Sequence, residues 1–132
     1  MRATTRIAAA VTTAVASVAA LVAVSAPAHA ATITKFCNAP YAPVPGCFYS
    51  TGDIFTVQDL RADGKRGVLI WMLDGGRHGE CHDANGANNP PTKCDVDLPE
   101  GELVTFWTVI RNGANGANEW ESEPMVAWTS GR

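Results

Sequence analysis

Four cysteines place the strongest constraint on how this chain can fold. They stand at Cys37, Cys47, Cys81 and Cys94, and two disulfides allow three ways of pairing them. We predict the bridges Cys37–Cys47 and Cys81–Cys94, because each closes a short, turn-rich loop that can form before the rest of the chain folds. Zinc binding is the competing use of four cysteines, but the chain has no C-x2-C pair of the kind that many zinc sites use.

Disulfides need an oxidising compartment, and the N-terminal segment 1–30 indicates export to one. Arg2 and Arg6 precede an uncharged run of mostly Ala, Val, Thr and Leu, and an A-x-A cleavage pattern closes the segment at Ala28–Ala30. A membrane anchor is the rival interpretation, but the run is only weakly apolar. We predict that this segment is a cleaved secretory signal peptide, and that residues 31–132 are a secreted, extracellular domain with no membrane attachment.

The charge of the mature chain bears on its partners. The whole chain has 10 basic and 13 acidic residues, and segment 1–30 holds two of the basic ones and none of the acidic ones. The mature chain is therefore acidic, with a net charge of −5 when histidine is neutral. Nucleic acids and anionic membrane surfaces both attract basic patches, so we expect neither as a partner.

Short apolar runs alternate with turn signals from Cys47 onward, which is typical of an all-β domain. We predict strands within residues 47–50, 54–60, 68–73, 77–82, 93–98, 102–111 and 120–129. Hairpin turns are predicted at Asp63-Gly64 and at Asp74-Gly75-Gly76. Residues 31–46 contain three prolines and are predicted to form an irregular, Pro-rich arm that the first disulfide ties to the domain.

These elements predict a single small antiparallel β-sandwich, immunoglobulin-like in the broad sense, over residues 31–132. A small β-barrel is the alternative. A chain of this length can build one hydrophobic core but not two.

Two predicted strands, 68–73 and 103–110, are apolar on both faces, which suggests a binding surface. A two-layer sandwich buries only one face of each strand. If the odd positions of both strands face outward, the side chains that form an exposed patch are Leu69, Leu73, Trp71 and Trp107. The alternative is that the arm or the loop 83–92 covers them, or that one of the strands is central.

The densest group of ionisable side chains is the second candidate site. Alternation along a strand puts His78, Glu80 and His82 on one side, opposite Cys81. Two imidazoles and a carboxylate are ligands for zinc or copper. Three ligands from one flat strand converge poorly, however, so we expect a solvated face, no tight metal binding and no cofactor.

Catalytic motifs are not found in the sequence. The chain has no G-x-S-x-G pattern, its cysteines are expected in disulfides, and no serine lies near either histidine of the mature chain. We therefore predict no catalytic residue, with a small metal-dependent hydrolase as the enzyme alternative.

A resemblance to a known group extends over roughly residues 36–128. The chain resembles small secreted actinobacterial proteins of uncharacterised function, through Cys47-Phe48, Gly52-Asp53, Asp59-Leu60, Ala62-Asp63-Gly64, Trp71, Gly79, Cys81 and Cys94. The resemblance implies a two-disulfide, all-β protein and assigns no functional residue. We predict a non-catalytic module that binds an extracellular protein or polysaccharide; inhibition of an extracellular hydrolase is the alternative.

Overall fold

The computed structural model describes residues 34–129, which lie in one compact unit that spans Ala31–Arg132. The described residues form nine β-strands and no helix. The strands are β1 (Lys35–Cys37), β2 (Gly46–Tyr49), β3 (Ile54–Val57), β4 (Arg66–Leu73), β5 (His78–Asp83), β6 (Thr92–Asp95), β7 (Leu103–Arg111), β8 (Asn118–Glu121) and β9 (Met125–Trp128). The predicted signal peptide, residues 1–30, lies outside the described residues and stays a prediction.

The strands form two antiparallel sheets that are arranged as a sandwich and do not close into a barrel. One sheet has four strands in the order β1-β2-β3-β6. The other has five: β5-β4-β7-β8 are successive neighbours, and β9 pairs with the half of β7 that β8 leaves free. The predicted all-β sandwich is confirmed, and the barrel alternative is wrong.

One of the two predicted hairpin turns is instead a crossover between sheets. Asp74-Gly75-Gly76 joins the paired strands β4 and β5, as predicted, but Asp63-Gly64 lies between β3 and β4, which belong to different sheets. The buried carboxylate of Asp83 accepts hydrogen bonds from the Asp59 backbone N–H at 2.7 Å and from the Thr92 hydroxyl at 2.9 Å. These bonds hold the crossover against the end of β5 and the start of β6.

The core between the sheets has an aromatic centre. Phe55 stacks on Trp71, with ring centroids 5.7 Å apart and an interplanar angle of 7°. The rings of Phe48 and Phe106 lie 4.7 and 6.1 Å from the Phe55 ring. Phe48 and Phe55 belong to the four-stranded sheet and the other two to the five-stranded sheet, so these contacts fix how the sheets pack.

Both predicted disulfides are confirmed, but only one of them is local. Cys37 and Cys47 lie directly opposite each other on β1 and β2, with 4.0 Å between their Cα atoms. Cys81 lies on β5 and Cys94 on β6, with 5.9 Å between their Cα atoms. β5 and β6 are edge strands of different sheets, so this second bridge fastens the two layers together.

Candidate binding surfaces

Three of the four residues predicted to form an exposed patch lie in the core, so that prediction is wrong for Leu69, Leu73 and Trp71. Trp71 is only 4% exposed. The register explains this, because Trp71 lies opposite Phe106 on β7 while Ile70 lies opposite Trp107. Residues directly opposite each other in a sheet point to the same side. Odd positions of β4 therefore share a face with even positions of β7, and Trp71 and Trp107 point in opposite directions.

A glycine on the neighbouring strand makes room for the Trp71 ring. Gly79 lies directly opposite Trp71, and a Cβ atom at that position would lie 2.5 Å from the ring atom Cζ2. The Arg77 guanidinium lies over the same ring, with Cζ 5.8 Å from the centroid, and donates a hydrogen bond to the Asp97 carbonyl. Trp71 is thus enclosed on both sides, which suits a structural residue and not a ligand contact.

Trp107 points outward and belongs to an extended surface that we call the outer face. It consists of the outward side chains of the five-stranded sheet, namely Arg66, Val68, Ile70, Met72, His78, Glu80, His82, Leu103, Thr105, Trp107, Val109, Arg111, Asn118, Glu121, Val126 and Trp128. Three apolar members are well exposed: Met72 at 44%, Val126 at 55% and Trp128 at 40%. Ile70, Leu103 and Trp107 are half-buried around them. One end of the outer face is therefore apolar and accessible to solvent.

The other end of the outer face is closed by an ion pair. Arg111 on β7 makes a bidentate contact with Glu80 on β5, with N–O distances of 2.8 and 2.9 Å. β4 lies between these two strands, so the pair crosses over it. Val68 of β4 lies between the residues that face Arg111 and Glu80 in the register, and it is fully buried although it is on the outer face. The ion pair covers this apolar position.

The candidate metal ligands are brought to one face but are engaged with other groups. His78, Glu80 and His82 all project opposite the buried Cys81, as alternation predicted. His82 Nε2 lies 2.9 Å from Glu80 Oε2, whereas His78 Nδ1 lies 3.2 Å from the Gly76 carbonyl oxygen. Within residues 34–129, no group of three such side chains is arranged to hold a metal ion. Tight metal binding here would need Glu80 to leave Arg111.

Glu80 should make stability depend on pH in the acid range. The hydrogen bonds from Arg111, and after them the bond from His82, hold the pKa of this carboxyl below its ordinary value of 4.5, although partial burial acts in the opposite direction. A depressed folded-state pKa stabilises the fold above the unfolded-state pKa, and this contribution disappears as the pH falls through the folded-state value. We expect Glu80→Gln to lower the free energy of unfolding by about 1 kcal/mol at neutral pH and by nearly nothing in strong acid.

Urea denaturation of both proteins at several pH values measures this difference. Repeating the pair in an Arg111→Met background is the control, because the effect of Glu80→Gln should largely vanish there. An effect that is equal at neutral and acid pH would contradict the assignment.

The Pro-rich arm forms a rigid, exposed loop between the first two cysteines. The backbone N–H of Ala42 donates to the carbonyl of Ala39 at 3.0 Å, so Pro40 and Tyr41 occupy the central positions of a β-turn. Tyr41 is 97% exposed, the highest value among the exposed large apolar side chains of the described residues. The turn therefore projects an aromatic ring into solvent.

A buried amide holds the loop in place. Asn38 Nδ2 donates to the Val44 carbonyl at 3.1 Å and to Thr108 Oγ1 at 2.7 Å, and Asn38 Oδ1 accepts from the Gly46 N–H at 2.8 Å. The Thr108 hydroxyl in turn donates to the Val44 carbonyl at 2.7 Å. Asn38, Val44 and Thr108 are all buried. The loop is thus bonded within itself and to β7 of the opposite sheet.

A cleft of about 510 Å³ opens beside this loop. The loop forms one wall, and the segment that contains β8 and the start of β9 forms the other. The lining is mostly apolar, with Trp120 and Met125 opposite Tyr41, and also includes Glu121 and Glu123. The sequence analysis did not predict this cleft, because it considered the arm only as a segment that the first disulfide links to the domain. Three prolines around a tyrosine, between two bridged cysteines, were the signal that could have indicated a stiff presenting loop.

No protein-family description, no curated protein and no solved structure matches this chain. Within residues 34–129 there is no helix long and apolar enough to cross a membrane. The two disulfides are those of a protein that folds in an oxidising environment. The function is therefore inferred from the surfaces of the domain.

Proposed function

We propose that this protein is a secreted, non-catalytic module that binds another extracellular protein through its outer face. Its two disulfides and the export signal predicted at residues 1–30 support the compartment. The observation that carries the proposal is the exposed apolar end of the outer face, where Met72, Val126 and Trp128 are each at least 40% exposed. Contiguous exposed apolar area of this kind marks interaction sites in soluble proteins.

The position of these side chains supports a single contact area. Met72 lies opposite Thr105, which lies opposite Val126, so one row crosses three neighbouring strands. Trp128 and Leu103 form the next pair along β9 and β7. A sheet presents such side chains on a rigid backbone, so little conformational entropy is lost on binding.

The composition of the outer face favours a protein over a polysaccharide as the partner. Aromatic residues, methionine and arginine are enriched at protein interfaces, and the outer face holds Trp107, Trp128, Met72 and Arg111. Protein interfaces commonly have an apolar centre and a polar rim. The outer face is arranged in the same way, with an apolar end and the charged pair of Glu80 and Arg111 beside it. Two tryptophans also suit sugar rings, so the test includes polysaccharides. Inhibition of an extracellular hydrolase is one form that this binding would take.

We expect Val126→Asp to abolish partner capture without unfolding the domain. Val126 is more than half exposed, so a carboxylate is tolerated there in the free protein but would be desolvated in an apolar interface. The immobilised mature protein is exposed to culture supernatant and to solubilised cell-wall fractions, and retained material is identified by mass spectrometry. Retention of the specific partner should fall by about tenfold or more.

Leu60→Asp is the matched control, because Leu60 is a similarly exposed apolar residue outside the outer face. It should retain the partner as the wild type does, at an unchanged melting temperature. Equal retention by all three proteins would contradict the proposal. Retention of a purified cell-wall polysaccharide in affinity electrophoresis, lost in Val126→Asp, would replace the protein partner by a glycan.

A further inference from the structure

The cleft beside the Tyr41 turn has the chemistry of a site for a cationic side chain. Its walls carry two aromatic rings, those of Tyr41 and Trp120, together with the apolar side chain of Met125. Aromatic faces attract cations through the ring quadrupole, and tryptophan and tyrosine do so well. Among the described residues that line the cleft, two are acidic and none is basic.

One acidic residue of the lining, Glu123, is placed to select charge. Glu121 ends β8 and lines the cleft, but it lies opposite Val109 in the register, so its carboxylate points to the outer face. There its Oε1 accepts a hydrogen bond from Asn118 Nδ2 at 2.7 Å. Glu123 follows the end of β8, is exposed to solvent and lines the cleft, so its charge is available to a ligand there. An acidic rim around apolar walls in an acidic protein raises the local concentration of a positively charged ligand.

The rigid loop lowers the conformational entropy that is lost when a ligand binds in this cleft. The Cys37–Cys47 bridge closes the loop, and the Asn38 hydrogen bonds hold it to Val44, Gly46 and Thr108. The β-turn already holds Tyr41 in its exposed position, so ligand binding does not have to order this side of the cleft.

We propose that this cleft binds an arginine side chain from an extracellular protein ligand. The guanidinium would stack on Tyr41 or Trp120 and pair with the Glu123 carboxylate, while the aliphatic stem lies along Met125. Arginine fits better than lysine because its planar group stacks on rings and bonds carboxylates bidentately. The site is distinct from the outer face, because none of these contact residues belongs to that face, and each site can be removed without the other.

The test is a titration of the isotopically labelled mature protein, followed by amide and indole NMR shifts. The probe is the blocked tripeptide acetyl-Gly-Arg-Leu-amide, and the comparison peptide has citrulline, which is neutral and nearly the same shape, in place of arginine. We expect saturable shifts confined to the cleft residues at about 1–10 mM peptide. The citrulline peptide should bind about tenfold more weakly.

Variants distinguish the proposed contacts from a nonspecific effect of the protein's negative charge. Tyr41→Ala and Glu123→Gln should each weaken binding about fivefold or more, whereas Tyr41→Phe should retain it. Glu119→Gln is the matched control, because Glu119 lies on the same strand, pairs with exposed Lys65 and does not line the cleft. Tyr41 is fully exposed, so its replacement should leave the melting temperature unchanged.

Three results would overturn the proposal: no saturable shift in the cleft, equal binding of the citrulline peptide, or equal effects of Glu119→Gln and Glu123→Gln. Saturable binding of free guanidinium at the same concentrations as the peptide would contradict the assignment of a protein as the ligand. It would indicate a site for small cations instead. Failure of the outer-face test leaves this titration unaffected, since Val126 does not line the cleft.

Discussion

Trp71→Ala should lower the free energy of unfolding by about 3–5 kcal/mol, whereas Trp107→Ala should lower it far less. Trp71 is buried, stacks on Phe55 and lies over Gly79, so its removal leaves a cavity that the rigid sheets cannot fill. Trp107 is half-buried on the outer face and loses only part of its contact area. Urea denaturation, monitored by circular dichroism for both variants, measures the difference.

The same pair of variants separates folding from binding. Trp107→Ala should fold normally and lose the partner that wild type captures, because aromatic side chains at an interface often carry 2 kcal/mol or more of binding energy. Trp71→Phe is the control for the core, since it keeps an aromatic ring against Phe55. A Trp71→Ala protein as stable as wild type would contradict the packing described for this residue.

Removal of the Cys81–Cys94 bridge by two alanine substitutions should destabilise the domain by about 3 kcal/mol. The bridge closes a loop with a sequence separation of 13 and joins edge strands of different sheets. Cys81 is itself buried, so its loss also removes core contacts. For a domain of this size, the loss is a large share of its total stability.

The double alanine variant at Cys37 and Cys47 is the comparison. Its loop has a sequence separation of 10, so the loss of closure entropy is similar, but Cys37 is exposed and the bridge lies within one sheet. The Cys81/Cys94 variant should therefore be the less stable of the two in thermal denaturation. The reverse order would mean that the arm, and not the link between layers, limits stability.

Local sequence patterns placed the strands from β2 onward, because alternation is a property of a few neighbouring residues, but they missed β1. That strand, Lys35–Cys37, lies in the segment 31–46 that was predicted to be irregular, so this part of the prediction is wrong. The run Lys93–Leu98 shows such alternation, since Cys94, Val96 and Leu98 are more buried than the residues between them. Pairing is different, because it depends on residues far apart in sequence. Asp63-Gly64 has the chemistry of a hairpin turn, yet Asp83 holds that segment in a crossover between the sheets.

The candidate sites show the same difference between what local alternation predicts and what depends on strand pairing. That His78, Glu80 and His82 share a face followed from alternation alone, and the structure agrees. Which of Trp71 and Trp107 points outward depended on the register of β4 against β7, in which an odd residue lies opposite an even one. Two strands that are apolar on both faces give no local preference for that register. The cleft depended on a contact between the arm and β8, which no local pattern reports.

The Asn38 network also defines a sequence signature by which other chains with this arm can be recognised. The amide must sit one residue after the first cysteine, and a glycine must stand just before the second, because a Cβ at Gly46 would lie 2.5 Å from the Thr108 methyl carbon. Thr108 must supply both a hydroxyl and a small methyl group from the opposite sheet. A search for C-N-x7-G-C followed by a threonine in a long apolar strand should find proteins that share this loop, whatever residue they carry in place of Tyr41.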